Sequence, residues 1–196
     1  FIMKEYTGDK IRNVAIVGHG GAGTTSVTEA LLYRSGAISR MCKVEDGATT
    51  TDYEPEEIKR KVYVNATLAP VEWRDTKINF IDTPGFADFV AEVKGAFRAV
   101  DSALIVVCAT SGVQVGTEQC WKLAEEAGLP RIIFVNKMDR ENADFDSILD
   151  NLRGKFGKHV LPLQLPLGKE ENFQGIIGLY KMKAYRANGN GSDEIE

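Results

Sequence analysis

The sequence predicts an α/β fold, a mixed and mostly parallel sheet with helices on both faces. Three observations lead there. Short apolar runs alternate with stretches of helical period, the pattern of strands covered by helices. A glycine-rich loop joins the first apolar run to the first helical stretch. Two further polar motifs each close a later apolar run.

The loop is Gly18-His19-Gly20-Gly21-Ala22-Gly23-Thr24-Thr25-Ser26. It follows the strand-like Val14-Ala15-Ile16-Val17 and leads into Val27, Ala30 and Leu31 at helical spacing. Strand, glycine-rich loop, helix is the context of a phosphate-binding loop. Its glycines let successive N–H groups converge on one point, to which the next helix presents the positive end of its dipole. Against the pattern G-x-x-x-x-G-K-[ST], Gly18 and Gly23 are in register and Thr25 supplies the metal-binding hydroxyl. Thr24 stands where the pattern has lysine.

Composition sets outer limits. The chain has 196 residues, 43% of them apolar and 27% charged, as in an ordinary globular domain with a fragment of a second. Phe1 and Ile2 precede Met3, the expected start. No apolar run reaches the roughly 20 residues that span a bilayer, and no signal-peptide pattern leads the chain, so a cytoplasmic location is expected. A net charge of −4 argues against direct nucleic-acid binding. Cys42, Cys108 and Cys120 are too scattered for a disulfide framework or zinc site; Cys108 and Cys120 read as small core residues.

Further along, residues 35–61 are polar and aperiodic, the mark of a functional or mobile loop. A strand is expected over 62–73, interrupted near Pro70, then a turn at Arg74-Asp75-Thr76 and a strand over 77–81. So short a connection makes them an antiparallel hairpin. A helix is expected over 88–100 with Phe89, Val93, Ala96, Phe97 and Val100 on one face, then a buried strand over 103–107. A helix over 117–127 capped by Gly128, a buried strand over 132–135 and a helix through Ile148, Leu149, Leu152 and Phe156 follow. The leucine–proline alternation of 161–167 predicts an edge strand, and 176–185 a second short pairing. The acidic, glycine-rich tail 186–196 reads as disordered. These features divide the chain into residues 1–159 and a second segment, 160–196.

The two later motifs sharpen the function. Asp82-x-x-Gly85 closes a strand where an aspartate can hold magnesium through water and a glycine N–H can meet a terminal phosphate. Asn136-Lys137-x-Asp139 closes another, with an aspartate able to accept both N–H groups of a guanine edge; adenine lacks that pair. Taken alone, the first is a strand-ending turn and Asp139 a helix N-cap. With the loop, and with Gly112-Val113-Gln114, residues 130–140 and residues 163–168 followed by 171–175, the chain resembles the GTP-binding domain of translational GTPases, namely elongation factor G and its bacterial paralogues. The resemblance covers about residues 10–184. It implies GTP or GDP and Mg2+ as ligands, with Thr25 and Asp82 on the metal. It also implies a ribosomal role for the full-length protein in translocation or subunit release, a subdomain inserted from about residue 160, and a further guanine-contacting loop and four domains beyond.

Several positions depart from the family. Thr24 replaces the phosphate-binding lysine. Residues 60–63, Arg-Lys-Val-Tyr, stand where the family has Arg-Gly-Ile-Thr, so a magnesium-closing threonine is lost at Tyr63. Phe86 occupies the place of the water-orienting histidine, and a phenyl ring can neither orient water nor carry a proton. Lys61 is simplest as an exposed lysine, though in a closed loop it would restore the missing charge. His19 is read as a solvent-facing or capping loop residue rather than a replacement catalyst, and His159 as ordinary surface. Hydrolysis is expected to be impaired. The alternative is a non-hydrolysing docking module with weak or no nucleotide binding; an ATP-dependent kinase or partitioning ATPase has no use for Asn136-Lys137-x-Asp139.

Overall fold

The computed structural model describes residues 4–42, 49, 65–86, 88, 90–188 and 191–195. The expected readings of Lys61, Tyr63 and Phe89 lie outside them. Two compact units form, Phe1–Val106 with Val115–Phe134, and Val107–Gln114 with Val135–Glu196.

A five-stranded sheet has the order β2-β3-β1-β4-β5. Its members are β1 (Ile11–Gly18), β2 (Thr67–Trp73), β3 (Thr76–Asp82), β4 (Ser102–Cys108) and β5 (Arg131–Asn136). Strands β3 and β4 run parallel to β1 on either side of it, and β2 is antiparallel to β3, so the sheet is mixed as expected. Arg74 and Asp75, at φ 47° and 61°, make the two-residue turn whose twist suits a tight hairpin.

Helix α1 (Thr24–Arg34) covers one face. Val27 and Leu32 pack there with Ile16, Ala69, Val71, Phe80 and Val106. Ala15 and Val17 point to the opposite face by the two-residue period of a strand, and both are fully buried. That face belongs to helices α2 (Val90–Phe97) and α3 (Val115–Glu126), which contact β1. Gly128, at φ 67°, closes α3 through its N–H to the Glu125 carbonyl.

Several expectations need correction. Strand β2 runs through Pro70 without interruption, pairing it with Asn79, because an edge strand can present proline's missing donor to solvent. It begins at Thr67 rather than 62; residues 65–66 are not strand, and 62–64 are outside the described residues. The second helix is shorter than 88–100. The strand over 132–135 is not fully buried: Ile132 is 57% and Phe134 42% exposed. Its place at the end of the sheet order explains this, since an edge strand has a neighbour on one side only.

In the second unit, helix α4 (Phe145–Phe156) is capped by Asp144, whose side chain accepts the Ser147 N–H at 2.9 Å. Asp139 is therefore not the cap. A small core gathers Ala109, Met138 and Ala143, with Val135, Phe145 and Phe173 packed on it. An antiparallel sheet follows in the order β6-β7-β8-β9, comprising β6 (Gln164–Leu167), β7 (Gly175–Gly178), β8 (Lys183–Asn188) and β9 (Gly191–Ile195). Strand β6 lies at an edge as expected, though only from Gln164, leaving Leu161 and Leu163 exposed. The tail is the clearest correction: 183–188 and 191–195 form a hairpin instead of a disordered end. Cross-strand side-chain bonds join it, an ion pair of Lys183 with Glu194 and a hydrogen bond from Asn188 to Asp193, a source of pairing that acidic composition conceals.

Candidate functional site

The phosphate loop leaves β1 at Gly18 and enters α1 at Thr24. Gly23, at φ 96°, is the residue before the helix, a left-handed conformation that costs glycine little. The loop closes on itself through the Ala22 N–H to the His19 carbonyl, at 2.9 Å. His19 Nδ1 accepts the Gly116 N–H at 3.3 Å, so the histidine caps the N-terminus of α3 from within the loop, as its plainer reading expected. Beside it, burial pushes the Cys120 thiol up to about 12, which makes it an inert core group.

Asp82 ends β3 and reaches the same place because β3 is fastened to β1. Thr83 donates both its N–H (3.1 Å) and its hydroxyl (3.0 Å) to the Ile16 carbonyl. Asp82 is only 3% exposed, and neither carboxylate oxygen has a hydrogen-bond partner of acceptable geometry among the described residues. Burial raises this carboxyl to about 7, opposed by the nearby hydroxyls of Thr25, Thr28 and Thr24 and by the Thr83 N–H. These groups are close enough to favour the anion without bonding it. The Thr28 hydroxyl, for one, donates to the Thr24 carbonyl at 3.1 Å.

Gly85 presses on the loop. A Cβ there would stand 2.7 Å from the Gly20 nitrogen, so only glycine permits this approach. The Phe86 ring lies over Gly20, 3.1 Å from where a side chain would begin, and is 48% exposed. Thr24 turns its methyl toward Gly18, whose own Cβ would be 3.2 Å from it. The position that carries lysine in the pattern thus supplies no positive charge. Gly18 to Ser26, Asp82 and Gly85 are brought together, all in the first unit.

The second unit carries Asn136, Lys137 and Asp139 at the end of β5. The Asn136 carbonyl accepts the Ala109 N–H at 2.8 Å. Lys137 adopts φ 63°, turning the chain sharply, and Met138 is buried among Ala109 and Ala143. Asp139 is exposed.

Residues 9–191 match the family described as the elongation factor Tu GTP binding domain. The chain belongs to that family. Its sequence is 44% identical over 174 residues to elongation factor G 2 of Treponema pallidum (strain Nichols), 89% of this chain and 26% of that protein. It is 43% identical over 176 residues to elongation factor G of Granulibacter bethesdensis, 90% of this chain and 25% of that protein. A crystal structure of a Thermus thermophilus protein superposes with a TM-score of 0.91 at 44% identity, covering 96% of this chain and 28% of the other. The chain spans about a quarter of the length of these relatives. It is a G domain of the elongation factor G-like kind.

Within a GTP-binding domain of this family, the donor set fits a divalent cation. Among the described residues no hydrogen bond satisfies the buried Asp82 carboxylate, a state that a cation would relieve, and the buried Thr25 hydroxyl stands beside it. Sequence reasoning missed Thr28 and Thr83, which complete the polar wall around Asp82. Thr28 lies one helical turn beyond Thr24, a spacing that could have marked it; Thr83 stands out in the sequence only as part of its motif.

Proposed function

We propose that this chain is the nucleotide-binding domain of a translational GTPase of the elongation factor G type. It takes GDP and GTP with Mg2+ and, through the full-length protein, acts on the ribosome in translocation or ribosome disassembly. Residues 1–159 form the G domain proper and 160–196 begin an inserted subdomain. The carrying observation is the buried Asp82 carboxylate beside the Gly18–Ser26 loop, without a hydrogen-bond partner of acceptable geometry among the described residues.

Backbone N–H groups of Gly20 to Ser26 bind the phosphates, and Asn136, Lys137 and Asp139 select guanine. Thr25 and Asp82 would hold Mg2+, which would supply positive charge beside the phosphates. Hydrolysis is attack of water on the γ-phosphate, in which positioning and electrostatics supply most of the rate. Two residues of this chain weaken it. Thr24 contributes no charge, and a lost charge-assisted bond to phosphate lowers affinity by about 10- to 150-fold. Phe86 covers Gly20 with a ring that cannot orient water.

The same two residues favour a second reading, a docking module that binds nucleotide weakly or not at all. Calorimetric titration of GDP, GTP and ATP, each with magnesium, decides between them when run beside a Thr24→Lys variant. Guanine-selective binding by the native chain supports the first reading. Binding only by the variant supports the second, with a site disabled at one position. No binding by either overturns the nucleotide site altogether.

A further inference from the structure

The loop that bears Asp139 is held from outside. Its residues make two successive turns, with the Arg140 N–H on the Lys137 carbonyl (3.2 Å) and the Ala143 N–H on the Arg140 carbonyl (3.1 Å). Lys137 and Asn142 bracket this arc in left-handed conformations, at φ 63° and 65°. Neither is glycine; asparagine adopts this conformation at low cost, but lysine holds it only where neighbours enforce it. At the near end the enforcing contacts are the Ala109 bond to Asn136 and the buried Met138 side chain.

At the far end the contact comes from the connection between β6 and β7. Glu170 Oε1 accepts the Asn142 N–H at 2.8 Å, across 28 residues of sequence. Glu170 is itself left-handed, at φ 51°. The neighbouring Lys169 pairs with Asp144, the α4 cap, at 3.0 Å, and Phe173 packs on the Met138 cluster. Three anchors from one short turn thus hold the segment that carries Asp139 from both sides.

We propose that Glu170 is a positioning residue for guanine recognition, fixing through Asn142 the arc on which Asp139 meets the base. This rests on the reading of Asn136-Lys137-x-Asp139 as the guanine element. A carboxylate that accepts two parallel N–H groups must be placed within about 0.5 Å, and an exposed loop does not achieve that unaided. Glu170 does not touch nucleotide. Its effect falls on the contact that Asp139 makes, the one involving the base's 2-amino group, and not on the phosphates.

The test uses the 196-residue chain in the Thr24→Lys background, chosen to restore the phosphate-binding charge, with Glu170→Ala and Glu170→Gln added. GDP and inosine diphosphate, which lacks the 2-amino group, are titrated calorimetrically. Amide hydrogen exchange is followed at residues 137–142 without nucleotide. Glu170→Ala is expected to raise the GDP Kd by roughly 10-fold, the loss of one charge-assisted hydrogen bond, with a smaller change for inosine diphosphate. Exchange at Asn142 rises as well. Glu170→Gln keeps an acceptor oxygen and restores both readouts. Equal weakening of the two nucleotides, unchanged GDP affinity, or unchanged exchange at Asn142 overturns the proposal while leaving the guanine site standing. If the Thr24→Lys parent itself binds no guanine nucleotide, the guanine reading fails and the positioning role falls with it.

Discussion

Asp82 is a carboxylate buried in the first unit. Its raised pKa gives a direction to the stability of the metal-free domain. An acid whose folded pKa lies above its unfolded value stabilises the fold in its protonated form. That contribution is complete below about pH 4, and it is lost as pH rises through about 7. Metal-free protein should therefore lose thermal stability across that window by more than an Asp82→Asn variant, in which the group cannot ionise. Melting curves at about pH 4.5 and about pH 8 compare them; parallel declines in both proteins would mean that the Asp82 ionisation is already compensated. Phe86 makes a second prediction at this scale. With Thr24→Lys restoring affinity, Phe86→His should raise GTP turnover measured by phosphate release, whereas Phe86→Leu should not, because only imidazole can orient water and carry a proton.

At the scale of elements, the α4 cap and the β5 edge offer contrasting tests. Asp144 satisfies the Ser147 N–H and pairs with Lys169. Asp144→Ala should cost about 1 kcal/mol, the usual value of an N-cap, with little from the exposed ion pair. Urea titration reads this as a lower midpoint with unchanged slope. Ile132 is expected to be tolerant in spite of its strand setting. Being more than half exposed, its replacement by threonine should shift stability by less than about 0.5 kcal/mol, against about 1 for the shortening Ile16→Val in the buried core. A short apolar run looks the same in either setting.

For the whole molecule, ligand linkage is the relevant quantity. Magnesium with GDP at about 100 times Kd should stabilise the fold by about 2.7 kcal/mol, roughly 5–10 °C in Tm for a chain of this size, while ATP leaves Tm unchanged. Chelating the metal should remove most of that gain, since Asp82 would then face the phosphates uncompensated. A Tm equally raised by ATP would contradict guanine selection.

Much of this molecule was legible in its residues because the informative signals are local. Gly18, Asp82 and Asn136 each close an apolar run, and each ends a strand in the structure. Glycine geometry, helix dipoles and the donor pattern of guanine act over a few residues, so three motifs in that order were enough to propose a phosphate loop, a metal aspartate and a base-reading motif. The substitutions at Thr24 and Phe86 were equally visible. Other features depend on which segments meet, and tertiary structure alone decided them. Strand order placed Ile132 and Phe134 on an edge. Cross-strand pairing made a hairpin of residues that composition marked as disordered. A turn near residue 170 came to support a loop near residue 140. Local propensity sets the menu of elements; the contacts between segments distant in sequence, driven by burial and by the pairing of backbone groups, select among them.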